Sequence, residues 1–214
     1  MKILDKLLLV IVTLGTFGFT NYVSAQEAPD ALVKRISQEV LEIARTDKEV
    51  QKGNQKRMLA VVEAQIAPYV DFQRMTALAA GPHWRDSSAE QQKQLTNEFR
   101  ALLVHTYSGA MSQIKGQRLE FKSMRADAQD TAVEVRSTVV QPRGEPIQLS
   151  YRLQKQPSGW KIYDVNIMGV WLIETYKGTF TSEINKAGID GLISTLAEKN
   201  KRLAANAAKS SNLS

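Results

Sequence analysis

The chain has no cysteine in its 214 residues. Disulfides, cysteine-ligated zinc and thiol catalysis are therefore excluded, and stability has to come from packing alone. Histidine is almost as scarce. His83 and His105 are the two present, and neither has carboxylates at ligand spacing, so no metal centre is expected. There is no glycine-rich phosphate loop and no G-x-S-x-G nucleophile elbow. Beyond the first twenty residues no run is apolar enough to span a membrane, so the mature chain is expected to be soluble. Lysine and arginine outnumber aspartate and glutamate by 28 to 22, a net charge of +6. These cations are scattered among acids rather than clustered with aromatics, which argues against a nucleic-acid partner. Such a charge suits work near anionic membrane surfaces, and equally suits a protein with no such partner.

The one long apolar run is at the start. Lys2 and Lys6 precede "LLLVIVTLGTFGF" (7–19), and Val23-Ser24-Ala25 follows with small residues. These are the three parts of a cleavable secretory signal peptide, and the run is shorter than the roughly 20 residues a spanning helix needs. Cleavage is expected before Gln26, leaving a net charge of about +5. The expected division is a signal peptide over 1–25, a single domain over 26–205 and a flexible tail over 206–214.

Hydrophobic periodicity divides the domain into helices, strands and helices again. Asp30 is placed as the cap of a first helix with Leu32, Ile36, Val40 and Ile43 on one face. "TDKEVQKG" (46–53) reads as a charged loop. Met58, Val62, Ile66 and Tyr69 mark a second helix that Pro68 disrupts, and Asp71 starts a third that Gly81-Pro82 stops. A capping box, Ser87 to Glu90, opens a fourth, with Leu95, Phe99, Leu102 and Leu103 on its apolar side. Near residue 118 the period falls to two. Strands are expected at 118–124, 131–141, 146–154 and 160–168, joined by short Pro/Gly turns into an antiparallel meander. The last strand alternates less cleanly: Trp160 and Ile162 face one way, Tyr163, Val165 and Ile167 the other. Helices return after Gly169, with Gly188 as a C-cap and Asp190 capping the last. The expected fold is α+β: a curved four-stranded antiparallel sheet packed against helices from both ends of the chain.

Two features bear on function. Asp164 is the one acid in an otherwise apolar strand. In a cavity it could serve as a general base beside Tyr163 or Tyr151; on a polar face it is a satisfied structural carboxylate. Aromatic and long side chains also recur on the apolar faces. A filled core and an apolar pocket between sheet and helices share that composition, so pattern leaves both open.

Two blocks carry a resemblance. They are "DFQRMTALAAGPHWRDSSAEQQKQLTNEFRALLVHTYSGAM" (71–111) and "YRLQKQPSGWKIYDVNIMGVWLIETYKGTFTSEINKAGIDGLISTLAEKN" (151–200). In order and spacing they resemble MlaC-type periplasmic phospholipid-binding proteins, the toluene-tolerance auxiliary transport family. The resemblance implies an NTF2-like cone with acyl chains between sheet and helices and the headgroup at the mouth. It implies a non-enzymatic periplasmic carrier with phospholipid as cargo and no cofactor. Its partners would be an outer-membrane lipoprotein–porin complex and an inner-membrane ABC transporter complex with an MCE-domain subunit, and its role would be maintenance of outer-membrane lipid asymmetry. The residues expected to line the lipid are Phe72, Met75 and Trp84, then Phe99, Leu103, Tyr107 and Met111. The strands would add Leu149, Tyr151, Val165 and Ile167; Val170, Tyr176 and Phe180 complete the set. The chain departs from the family at Met168 and Trp171, where an acidic and a small polar residue are usual, and at Thr175-Tyr176-Lys177 in place of an Asn-Tyr-Arg pattern.

Overall fold

In the computed structural model the described residues are 26–124, 127 and 129–211. The expected signal peptide lies outside them.

Helix α1 (Pro29–Thr46) begins one residue before the expected cap. Ala28 is the N-cap and Pro29 fills the first turn, where its fixed φ fits and its missing N–H is not needed. Asp30 instead places its charge in that turn, near the positive end of the helix dipole. The charged loop holds a short helix α2 (Lys48–Gln51), capped by Asp47, whose carboxylate accepts from the amides of Glu49 and Val50. The expected second helix is a relay. Helix α3 (Gln55–Val61) passes into a π-helical turn (Val62–Ile66), then into a 3₁₀ turn (Ala67–Tyr69) carrying Pro68. Helix α4 (Phe72–Ala80) is capped by Asp71 and ends at Gly81 (φ 60°). Helix α5 (Ala89–Tyr107) does start with a capping box, shifted by one residue to Ser88 and Gln91. Ser87 instead donates its hydroxyl to the His83 carbonyl.

The sheet has five strands, all antiparallel, in sequential order: β1 (Arg118–Phe121), β2 (Ala132–Val140), β3 (Ile147–Gln156), β4 (Gly159–Ile167) and β5 (Val170–Trp171). The expected count was four. The fifth strand is two residues long, too short to show a period, and pairs Ile167 with Val170 and Asn166 with Trp171. The turn between them puts both central residues at positive φ, Met168 at 53° and Gly169 at 92°. That is the requirement of a type I′ hairpin.

The uneven alternation in β4 has a physical cause. Arg152 pairs with Asp164 while Leu153 pairs with Ile162, so Tyr163 has no partner and forms a β-bulge. The bulge resets the alternation. Ile162, Val165 and Ile167 therefore share the inner face, correcting the expectation that Ile162 points away from the other two. Beside it, Val70 forms a single parallel bridge to Ile162, and the Asp71 amide donates to the Ile162 carbonyl at 2.8 Å.

The helical run α6 (Leu172–Ser211) breaks at Ala187 and Gly188. Gly188, at φ 69° and ψ −175°, occupies a region essentially reserved for glycine, which agrees with its reading as a helix stop. The run continues through Ser211.

Helices α4, α5 and α6 bury one cluster around Phe99, Phe180, Leu95, Leu102 and Leu192. Phe99 meets Tyr176 and Phe180 edge-on, each with ring centroids 4.9 Å apart. A second cluster joins α1 to the sheet through Leu32, Val33, Ile36, Val135, Leu153, Trp160 and Ile162. A third, including Val50, Met58, Val61, Val104 and Met111, joins α2, α3, α5 and the 3₁₀ segment Ser108–Gln113.

Met168 holds a left-handed backbone conformation that disfavours a side chain lacking a local hydrogen-bonding group. Met168→Asn is expected to stabilise the protein by about 0.5–1 kcal/mol, read as a higher urea midpoint with unchanged slope.

Candidate functional site

Between α1 and the inner face of the sheet lies a cavity of about 510 Å³. Val33, Ile36, Ser37, Val40 and Leu41 of α1 form one wall. The opposite wall is the sheet: Leu119 from β1, Val139 from β2, Ile147, Leu149 and Tyr151 from β3, and Ile162, Val165 and Ile167 from β4. Ile66 and Val70 border it from the segment after α3, and Ala110, Met111 and Ile114 from the segment after α5. The strand pairs Leu119–Val139, Val139–Ile147, Leu149–Ile167 and Tyr151–Val165 explain why these side chains share a face. The π-helical turn places Ile66 at the cavity edge. Such turns shift a helix face by one residue and recur beside functional sites.

No charged side chain lines the cavity among the described residues. Its polar lining is Ser37, Tyr151, Gln113, Gln117 and Gln141. Ala110 and Gln113 are exposed, and the cavity opens there. The rim glutamines are tied down. Gln117 accepts from the amides of Lys115 and Gly116 and donates to the Gln113 carbonyl; Gln141 donates to the Glu145 carbonyl at 2.7 Å. Arg45 donates to the Gln117 carbonyl. Burial pushes the Tyr151 hydroxyl above its ordinary pKa, offset in part by the neighbouring hydroxyls of Ser137 and Ser37.

Of the residues expected to line a lipid, Met111, Leu149, Tyr151, Val165 and Ile167 border this cavity. Met75, Phe99, Leu103 and Phe180 are buried in the α4–α5–α6 cluster, with Phe72, Trp84 and Tyr176 packed on it. Tyr107 is exposed, and hydrogen-bonds Tyr176, whose pKa is pushed up to about 12, chiefly by burial and also by Tyr107. Val170 is exposed in β5. The α1 wall is the part that pattern does not pick out. Its stripe is plain in the sequence, but periodicity gives a face and not the surface that face meets.

Asp164 lies on the other side of the sheet from the cavity, alternating with Val165. It is 1% exposed. Its Oδ1 accepts from the amides of Val165 (3.0 Å) and Ile173 (3.1 Å), and its Oδ2 faces Arg152 at 3.4 Å. Ile173 is in the first turn of α6, so the carboxylate caps that helix across the fold. Arg152 in turn stacks on Trp171 at 3.7 Å, which gives that family departure a local role. Tyr151 faces the cavity and Tyr163 packs beneath Arg74, with ring centroid to guanidinium at 4.5 Å. Of the two readings of Asp164, the geometry matches the satisfied carboxylate, and the pairing with Tyr163 or Tyr151 that a general base would use is not formed.

An α+β protein with a greasy cleft open at one end is the class that this geometry defines. The match to known proteins narrows it: residues 34–198 fit the MlaC protein family model, and the chain belongs to that family. It is 24% identical over 188 residues to the intermembrane phospholipid transport system binding protein MlaC of Haemophilus influenzae, covering 86% of this chain and 88% of the relative. It is also similar to the solved phospholipid-binding protein of Ralstonia solanacearum, determined in complex with a phospholipid. That likeness has a TM-score of 0.77 and 43% identity, and covers 82% of this chain and 98% of the other.

Burial raises the Asp164 carboxyl above its ordinary value of 3.8, against the lowering effects of the two amides and Arg152. The folded protein therefore keeps this proton to higher pH than the unfolded chain. Its contribution to stability is greatest below the ordinary value and declines as pH rises through the folded one. Asp164→Asn, which keeps an acceptor for Ile173, is expected to flatten that decline in melts from about pH 3 to 7. Asp164→Ala strands two amides and is expected to cost about 2–3 kcal/mol.

Proposed function

We propose that this protein is a periplasmic phospholipid carrier that holds acyl chain in the α1–sheet cavity and leaves the headgroup at the glutamine rim. The observation that carries this reading is the cavity itself: large, walled by aliphatic side chains and free of charge, in a chain similar to a protein solved with a phospholipid. A lipid tail in water is costly by about 0.8 kcal/mol per methylene, so one long chain needs roughly 12 kcal/mol of burial. A carrier meets that demand with an apolar wall and few polar anchors. Met111 on that wall can adapt to chains of different shape.

Membership of the family supports a reading of the partners. The carrier exchanges lipid with an outer-membrane lipoprotein–porin complex and with an inner-membrane ABC transporter complex carrying an MCE-domain subunit. It thereby serves outer-membrane lipid asymmetry. Lys2, Lys6, the apolar run 7–19 and Val23-Ser24-Ala25 support export with cleavage before Gln26. Release requires the cavity to open or a partner to compete for the lipid.

Protein purified from its native envelope is expected to carry phospholipid in native mass spectra and to begin at Gln26. Lipid-free spectra, with no uptake from vesicles, would reject the carrier reading. Leu149→Arg and Val165→Arg put a cation into the cavity wall and are expected to lower lipid loading at least tenfold, with a smaller effect on the melting temperature. Unchanged loading would remove both residues from the site.

A further inference from the structure

Ser137 is 1% exposed, and its hydroxyl has no hydrogen-bond partner among the described residues. It faces the inner side of the sheet, paired with Leu149, and is the diagonal neighbour of Tyr151, which pairs with Val135. Tyr151 and Ser37 both line the cavity, one from the sheet and one from α1. The Tyr151 hydroxyl lies next to both serines. Ser37 and Tyr151 therefore bring two hydroxyls into a mainly aliphatic wall, and Ser137 is buried beside Tyr151 just behind it.

We propose that Ser37, Tyr151 and Ser137 form a polar socket for an ester carbonyl of a diacyl glycerophospholipid. The inference rests on the carrier reading and adds the part of the lipid that is recognised. Each hydroxyl brings one donor. Tyr151 stands beside both serines and the Ser137 hydroxyl is left unpaired, so at least one O–H of the three lacks an acceptor within the protein. The tyrosine stays protonated, because burial opposes its ionisation.

The chemistry of the missing acceptor is restricted. It must be neutral, since no cation lines the cavity to pair a carboxylate. It must also sit where an apolar chain begins. An ester carbonyl meets both conditions; an ether oxygen is a poorer acceptor and an alkyl chain is none.

The depth agrees. Val139 pairs with Ile147 at the rim, next to Gln141, and Ser137 pairs with Leu149 two residues further in. Two strand residues span about 7 Å. A carbonyl at that level leaves the phosphate outside, among the rim glutamines, and sends the chain inward toward Val33 and Ile162.

The test uses the mature protein stripped of lipid and mixed with vesicles of dioleoyl phosphatidylglycerol and its di-O-oleyl ether analogue in equal amounts. Native mass spectrometry reads which is loaded. The wild type is expected to favour the ester lipid by about three- to tenfold, the worth of one hydrogen bond. Tyr151→Phe, Ser137→Ala and Ser37→Ala are each expected to bring the ratio toward one while total loading persists. Ser137→Ala should keep or raise the melting temperature of the lipid-free protein, because it deletes an unpaired buried hydroxyl; a purely structural serine would give the opposite. Equal loading of the two lipids by the wild type, or a ratio unmoved in all three variants, overturns the socket and leaves the carrier reading standing. A wild type that loads neither lipid overturns the carrier reading and the socket together.

Discussion

Leu119, Val139, Ile147, Leu149, Tyr151, Val165 and Ile167 are turned to one side by four antiparallel strands, and that side has to be kept from water. Everything else in the molecule is arranged around how it is covered. The α4–α5–α6 group packs tightly upon itself and reaches Val165 and Ile167 at the β4 edge. Helix α1 covers the rest, burying Leu32, Val33 and Ile36 against the sheet with Val40 packed beside them. Further along, the two surfaces stand apart, and the gap is the cavity. The aromatic weight of the chain, Phe99, Phe180 and Tyr176, goes into the tight group. The cavity wall is left mainly to aliphatic residues, which offer smooth surface without fixed polar geometry.

The supports of this gap lie outside it. Asp164 and Arg152 sit on the opposite side of the sheet and fasten the start of α6 through the Ile173 amide and the Trp171 ring. With the helix anchored there, the chain can turn around the β5 edge and bring Phe180 back onto α5. The bulge at Tyr163 has a related effect. It keeps Ile162, Val165 and Ile167 on one wall while letting Tyr163 join the helical cluster. The rim is held by glutamines bonded to loop backbone, with Arg45 bonded to the Gln117 carbonyl beside them.

Local chemistry is written locally, and much of the fold can be read from it. The capped starts of α4 and α5, the stop at Gly188 and the two-residue alternation of β2 and β3 depend on neighbours a few positions away. The places that resist reading are those where an element is too short to show a period or where neighbouring residues suit the same role. Val170 and Trp171 form a strand only because Ile167 and Asn166 accept them. The capping box moved by one residue because Gln91 could serve as well as Glu90.

By itself, the sequence determined which faces are apolar, that no thiol chemistry takes part, and the family to which the chain belongs. Whether those apolar faces fill one another or stand apart was settled only in three dimensions. Pocket walls and packed cores are made from the same residues, so Phe99 and Leu149 look alike in a pattern. Contact geometry separates them: Phe99 is enclosed by rings from α6, while Leu149 borders the cavity between the sheet and α1.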